Sequence, residues 1–197
     1  SRTAPGLTYS EQGLSRGKAA RSTATTRRPA AARCVATAAP AGPARVVSDL
    51  ATVVTLTDTD VRVAAVVTLD VSRGRLPACT LTVPAGYRVA AIHGATVDRL
   101  ETTATAVVVT LLTPDAPRHV LLAELERPWP GGAATVDAMT IGVVEAQRER
   151  GDLAVESPGT TVITESTAEG ADRVDVREMG AGVRALARWP LLAAYRY

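Results

Sequence analysis

Apolar and polar side chains alternate along much of the chain, most clearly over residues 61–71. Val63 and Leu69 fall on one face of an extended segment there, and Thr68 and Asp70 fall on the other. A period of two residues is typical of a β-strand with one face buried. The pattern therefore predicts a half-buried strand over this segment.

Two hairpins follow from the turns between such runs. The β-branched run 52–57 precedes the acidic turn 58–60, which predicts a hairpin with the strand at 61–71. The apolar run 106–112 and the alternating run 119–127 lie on either side of a proline-bearing loop, and they predict a second hairpin.

The remaining periodic segments are short. Strands are predicted at 79–83, 87–92, 135–144, 152–156 and, more weakly, 160–164, with a charged bend at 147–151. Only 178–189 has the apolar spacing of a helix, which Pro190 limits. The apolar, aromatic run 191–197 suits either a last edge strand or the first part of a strand in a chain that continues.

Turn signals roughly every 8 to 12 residues are typical of a β-sandwich or barrel rather than of alternating strands and helices. The sequence thus predicts a mainly β fold, namely an antiparallel β-sandwich with one short C-terminal helix and an extended, non-globular N-terminal arm. The predicted core contains Val63, Val67, Leu69, Leu81, Val83, Val109, Leu121 and Leu125.

The composition of the chain changes near the start of this strand-rich region. Residues 1–48 carry eight basic side chains and one acidic side chain, a net charge of +7, whereas the remaining 14 of 22 basic and 19 of 20 acidic side chains give −5 over 49–197. The first segment has too few large apolar side chains to fold alone. We therefore predict a basic Ala/Thr/Pro/Arg-rich arm and linker over 1–44, and a sandwich domain over 45–197 that could extend past the given C-terminus.

The arm is the strongest functional signal in the sequence. Nucleic-acid recognition would need a known reading module or aromatic side chains that stack on bases, and the arm has neither. Its large apolar side chains are also too sparse for an amphipathic membrane anchor. We predict a protein partner in a larger complex and no specific nucleic acid, with contact to an anionic surface left open. The residues expected to bind the partner are Arg16, Lys18, Arg21, Arg27, Arg28 and Arg33.

Composition bears on three further questions. Lys18 is the one lysine beside 21 arginines, and Phe and Asn are absent. A GC-rich genome explains this codon usage, so the excess of arginine does not indicate nucleic-acid binding. The two cysteines do not make a disulfide framework; we expect a free Cys34 and a buried Cys79, with a bridge between them left open. No uncharged apolar run reaches the roughly 18 residues of a transmembrane helix, so no transmembrane segment is predicted.

Candidate catalytic and metal-binding residues are few. His93 ends one strand and His119 begins another, and neither has a second ligand at a recognised spacing. Asp58 and Asp60 share a turn that lacks the further oxygen donors of a calcium site. Cys79 alternates with core residues, so its thiol is expected to point into the sheet packing. We predict no catalytic residue, no cofactor and no metal, and hence a non-enzymatic role.

The aromatic side chains are concentrated in the C-terminal half, as Trp129, Trp189, Tyr195 and Tyr197. They could form a carbohydrate-binding platform or an interface anchor, or they could be the largest core fillers of a chain without Phe. We expect packing in the core or in an interface. A solvent-exposed aromatic row would instead favour a carbohydrate-binding accessory module.

The segments "VVTLDVSRGRLPACTLTVPAGYRVAAIHG" (66–94), "AVVVTLLTP" (106–114) and "HVLLAELERPW" (119–129) resemble β-sandwich modules of large bacterial cell-envelope proteins. In such modules a strand leads to an "lP.G..v..v.G" turn and later to a strand that ends in "ERP". The resemblance implies a location in the bacterial cell envelope or outside the cytoplasm, whereas the Arg/Ser/Thr-rich start of the chain is also typical of an organellar transit peptide. The resulting hypothesis is a structural or interaction subunit of a larger assembly, tethered by its basic arm, with a carbohydrate-type ligand-binding module as the alternative.

Overall fold

The structure, a computed structural model, describes residues 42–129, 140–159 and 169–197. Within these ranges the chain forms ten strands and one short helix: β1 (Arg45–Leu56), β2 (Asp60–Arg73), β3 (Ala78–Thr82), β4 (Arg88–His93), β5 (Val97–Thr102), β6 (Ala106–Leu111), β7 (Arg118–Pro128), β8 (Ala146–Glu156), β9 (Asp172–Arg173), α1 (Ala181–Leu186) and β10 (Leu191–Arg196). A 3₁₀ turn, Val176–Glu178, precedes α1. The predicted mainly β fold class is confirmed.

The strands form two sheets that share one apolar core. Sheet A has the order β4-β7-β2-β1-β8-β10-β9, and sheet B has the order β3-β6-β5. Paired neighbours are antiparallel except for β1 and β8, which run parallel. The architecture is therefore the predicted antiparallel sandwich with one parallel pair at the centre of the larger sheet.

The first predicted hairpin is confirmed, although its first strand is longer than expected. β1 and β2 pair antiparallel along their length, and the Thr57 N–H donates to the Asp60 carbonyl at 3.0 Å across the turn. β1 begins at Arg45, well before the β-branched run, because Val46 and Leu50 also fall on its buried face.

The second predicted hairpin is wrong. β6 pairs with β3 and β5 in sheet B, whereas β7 pairs with β2 and β4 in sheet A. The loop between β6 and β7 crosses from one sheet to the other, and its Pro114 and Pro117 carbonyls accept from the backbone N–H groups of Leu76 and Val71, both at 2.8 Å. β5 was not predicted because five of its six residues are exposed and carry no alternating pattern.

The predicted charged bend at 147–151 is also wrong, because β8 runs through it as one strand. Parallel pairing with β1 places Arg150 beside Asp49 on one face of sheet A, where the two form a salt bridge of 2.7 Å. On the other face, Glu149 accepts from the Ser48 hydroxyl at 3.1 Å. Tertiary pairing thus overrides the local preference of a charged, glycine-bearing segment for a turn.

Part of the strand prediction falls on residues outside the described ranges. The predicted strand 160–164 and most of the predicted strand 135–144 lie there. In the described remainder of the latter, Val143 makes a single antiparallel bridge to Leu81 and does not belong to a strand.

The predicted core is confirmed. The inner face of sheet A and the inner face of sheet B pack together, and the one buried cluster they form contains all eight predicted core residues, Val63, Val67, Leu69, Leu81, Val83, Val109, Leu121 and Leu125. The period-two pattern therefore assigned the buried face of these strands correctly.

A second, smaller cluster lies on the outer face of sheet A, where Met179 and Val183 pack against Val53, Ala154 and Ala194. Val183 belongs to α1, which is shorter than the predicted helix 178–189. The Ala187 N–H still donates to the Val183 carbonyl, but the N–H groups of residues 188 and 189 donate to a side chain on β8, so the helix does not continue past this point.

Candidate functional site

The arm residues predicted to bind a partner, Arg16, Lys18, Arg21, Arg27, Arg28 and Arg33, lie outside the described residues, and so does Cys34. The structure therefore bears on the candidates in the sandwich only. Within the described ranges no helix is long and apolar enough to cross a membrane.

The two histidines lie on opposite faces of sheet A. His93 is exposed at the end of β4, opposite Leu122, whereas His119 is buried on the inner face of β7, opposite Leu69. The His119 Nδ1 lies 3.1 Å from the Thr96 hydroxyl, and burial lowers the pKa of the imidazole. The two side chains cannot converge on one ligand.

In the turn at residues 58–60, the Asp60 carboxylate makes its contacts locally. The Asp60 carboxylate accepts from the Thr57 hydroxyl at 3.0 Å and pairs with Arg62 at 3.0 Å. Across the described part of the chain no three His, Cys, Asp or Glu side chains lie close enough together to hold a metal ion.

Cys79 is buried and free. Burial, and then the negative charge of Glu145, raise the pKa of its thiol to about 12. Because the reactive form of cysteine is the thiolate, this side chain packs as a small apolar group.

The aromatic side chains do not form an exposed row in the described residues. Tyr195 is buried, and Trp129 and Tyr197 are half-buried and pack against the main core. Burial raises the pKa of the Tyr197 hydroxyl to about 12, and the charge of Glu149 adds to the rise. Trp189 differs from these three because 47% of its surface is exposed.

Trp189 lies in the short loop between α1 and β10, and a buried carboxylate fixes the backbone of that loop. Glu156, at the end of β8, is only 1% exposed. One of its oxygens accepts the N–H groups of Arg188 at 2.8 Å and Trp189 at 2.9 Å, and the other accepts the Thr55 hydroxyl at 2.8 Å. Hydrogen bonds to a buried charge are among the stronger ones in proteins, so the loop is held firmly.

The segment of sequence that leads to Trp189 is basic. Residues 176–190 contain three arginines and one glutamate. Arg184 donates to the Arg177 carbonyl at 2.6 Å, while the guanidinium groups of Arg177 and Arg188 pair with no carboxylate among the described residues. The loop therefore presents an exposed indole ring on a fixed backbone, and the residue before it in the sequence, Arg188, carries a charge that pairs with no described carboxylate.

Sequence reasoning named Trp189 but missed the residue that positions it. Glu156 stands at the end of an apolar run, and a charged residue at the end of a strand normally indicates solvent. Its partners lie 32 and 33 residues further along the chain, so no local pattern reveals them.

No protein-family model and no curated protein matches this chain. An M1 zinc metallopeptidase structure from Deinococcus radiodurans is 17% identical over 67% of this chain and 34% of that chain, with a TM-score of 0.40. A variant of that organism's M1 zinc metallopeptidase bound to a Tyr-ser-ala substrate is 14% identical over 79% and 39%, with a TM-score of 0.41. A two-domain M1 zinc metallopeptidase variant bound to L-tryptophan is 15% identical over 79% and 39%, with a TM-score of 0.42. The chain spans less than two fifths of these enzymes.

Proposed function

We propose that this protein is a non-enzymatic interaction subunit that binds an acidic protein partner, with Trp189 as a fixed contact point and the basic N-terminal arm as a tether. The observation that carries the proposal is the exposed Trp189 side chain on a loop whose backbone is held by the buried Glu156 carboxylate.

Tryptophan is enriched among the few interface residues that supply most of the binding free energy. A side chain on a fixed backbone loses less conformational entropy on binding than one on a mobile loop, and affinity rises accordingly. Both features are present at Trp189, which supports a role in contact rather than in packing.

Charge supports the acidic character of the partner. The arm and linker, residues 1–44, carry seven basic side chains and one acidic side chain, a net charge of +6, and Arg188, which precedes Trp189, has no carboxylate partner among the described residues. An acidic surface would pair with both regions, and the association should weaken as salt rises.

The carbohydrate-binding alternative has less support. A sugar-binding platform needs several exposed aromatic rings, and four of the five aromatic side chains in the described ranges are buried or half-buried in the core. The envelope location stays a prediction from the sequence.

A selection from a random peptide library tests the proposal. The immobilised full chain should enrich acidic peptides, and synthetic versions of these should bind more weakly at high salt. We expect Trp189→Ala to weaken their binding about tenfold or more, and deletion of residues 1–41 to weaken it further. The far-UV circular dichroism spectrum of the shortened chain should remain that of a β-sheet protein. Leu112→Ala is the matched control, because Leu112 is 58% exposed and directly follows β6 of sheet B.

Two results would overturn the proposal. One is enrichment of peptides with no acidic character. The other is equal binding by the Trp189→Ala and Leu112→Ala variants, since Trp189 would then be an ordinary exposed side chain.

A further inference from the structure

A groove of about 450 Å³ lies where the chain enters β1, at the opposite end of that strand from Trp189. Its lining residues are Pro43, Ala44, Arg45, Val47, Ser72 and Gln147. The walls are largely apolar, with one guanidinium group, one hydroxyl and one amide among them.

The backbone around the groove is held in place. The Gln147 side-chain amide accepts a hydrogen bond from the Val46 N–H at 2.6 Å and donates one to the Ala44 carbonyl at 3.2 Å. It thus makes the two hydrogen bonds to the start of β1 that the backbone of a neighbouring strand would make. Gly74 has a φ of 79° and packs so closely that a Cβ there would lie 2.7 Å from the Gly42 carbonyl oxygen. The groove is therefore preformed, which lowers the entropic cost of binding.

Three arginines at this end of sheet A have no carboxylate partner among the described residues. Arg45 is paired with Arg73 in the β1–β2 register, next to a register shift between Arg45 and Val46, and Arg148 is paired with Val47 in the β1–β8 register. Like charges on paired residues of neighbouring strands are destabilising.

The nearby acidic side chains do not relieve this repulsion. Asp70 already pairs with Arg118 at 2.8 Å, and Asp49 pairs with Arg150 at 2.7 Å. The end of the sheet where the basic arm is attached therefore carries uncompensated positive charge beside a preformed groove.

The geometry points to a carboxylate-binding groove at the root of the arm, in which Arg45, together with Arg73 and Arg148 on the strands that flank the groove, binds the glutamate or aspartate side chains of a protein partner. A planar guanidinium group matches a carboxylate with two parallel hydrogen bonds. The apolar walls suit the methylene groups of a glutamate, and no aromatic side chain lines the groove to stack on a nucleobase. The inference rests on the proposed function only for the acidic character of the partner.

Nuclear magnetic resonance on the full chain tests the groove directly. The probe is a blocked Glu-Glu-Glu tripeptide, and the signals are the side-chain N–H groups of Arg45, Arg73, Arg148 and Gln147. We expect saturable shifts at these four residues. Arg45→Gln or Arg73→Gln should weaken binding of the tripeptide, so that the Kd measured at the remaining signals rises roughly five- to tenfold.

Arg88→Gln is the matched control, because Arg88 is also exposed but pairs with Glu126 at 2.6 Å on the β4 side of sheet A. Equal, non-saturating shifts at Arg88 and at the groove would overturn the inference, because they would show that the acidic tripeptide contacts exposed arginines without a specific site. Tighter saturation of the groove by an oligothymidylate than by the tripeptide would also overturn it.

Thermal unfolding gives an independent readout. If the opposed arginines serve binding, Arg73→Thr should raise the Tm by roughly 1 to 3 °C while it weakens tripeptide binding. A lower Tm in this variant would show that Arg73 has a structural role and would contradict the inference. Trp189 does not line the groove, so loss of tripeptide binding in the arginine variants is distinguishable from loss of peptide binding in the Trp189→Ala variant.

Discussion

At the scale of single residues, three glutamate carboxylates fasten irregular segments to the strands. Each accepts at least one backbone N–H and one hydroxyl group. Glu145 binds the N–H and hydroxyl of Thr80, Glu149 binds the Val143 N–H and the Ser48 hydroxyl, and Glu156 binds the N–H groups of Arg188 and Trp189 and the Thr55 hydroxyl. Because these segments make few strand hydrogen bonds of their own, their geometry depends on the carboxylates.

Glu156 gives the sharpest prediction at this scale. Glu156→Ala leaves two N–H groups without their acceptor, so we expect a loss of about 2 to 4 kcal/mol in the free energy of unfolding. Glu156→Gln keeps one acceptor oxygen of similar shape and should cost less. Denaturant titration measures the loss, and the fluorescence anisotropy decay of Trp189, in a Trp129→Phe background, should show faster motion in the alanine variant. An unchanged decay would mean that Glu156 does not hold the loop.

At the scale of elements, β2 and β7 have two different faces. Their inner residues belong to the core, whereas their outer residues include the Arg118–Asp70 salt bridge and exposed Val120. Stability should therefore depend strongly on the inner face and weakly on the outer one.

The pair Leu121→Ala and Thr68→Ala measures this difference. Leu121 is fully buried on β7, so truncation should cost about 2 to 5 kcal/mol through lost burial and the cavity left behind. Thr68 lies on the outer face of β2, where we expect a change within roughly 0.5 kcal/mol. Chemical denaturation of both variants provides the comparison, and equal losses would contradict the assignment of the faces.

At the scale of the whole molecule, the buried His119 links folding to pH. Burial lowers the pKa of this imidazole below the ordinary value of 6.5 that it regains on unfolding. The unfolded chain therefore binds more protons between the two values, and stability falls as pH falls from about 6.5 to the lowered folded-state pKa.

We expect His119→Gln to remove part of this slope, while His93→Gln, which alters an exposed imidazole on the other face of sheet A, should keep it. Urea unfolding of the parent chain and both variants between pH 7 and 5 separates the contributions. The same slope in all three proteins would show that carboxylates, and not His119, set the acid response of the fold.

The sequence by itself determined the local features of this protein. Alternation over β2 and β7 identified the buried face, and a turn of polar residues joined β1 to β2, because period and turn chemistry depend on neighbours along the chain. It also separated a basic N-terminal segment from an acidic remainder. It named Trp189 as one of four aromatic candidates but did not distinguish it from the three that pack in the core.

Only the tertiary structure decided which strands pair and which polar residues are buried. β6 and β7 joined different sheets, β8 ran straight through a charged segment, and Glu156 became the support of a loop 33 residues away. The opposed arginines at the root of the arm likewise depend on the register between β1 and β2. Hydrogen bonds between strands and the burial of a charge involve residues far apart in the sequence, so a local pattern contains no information about them.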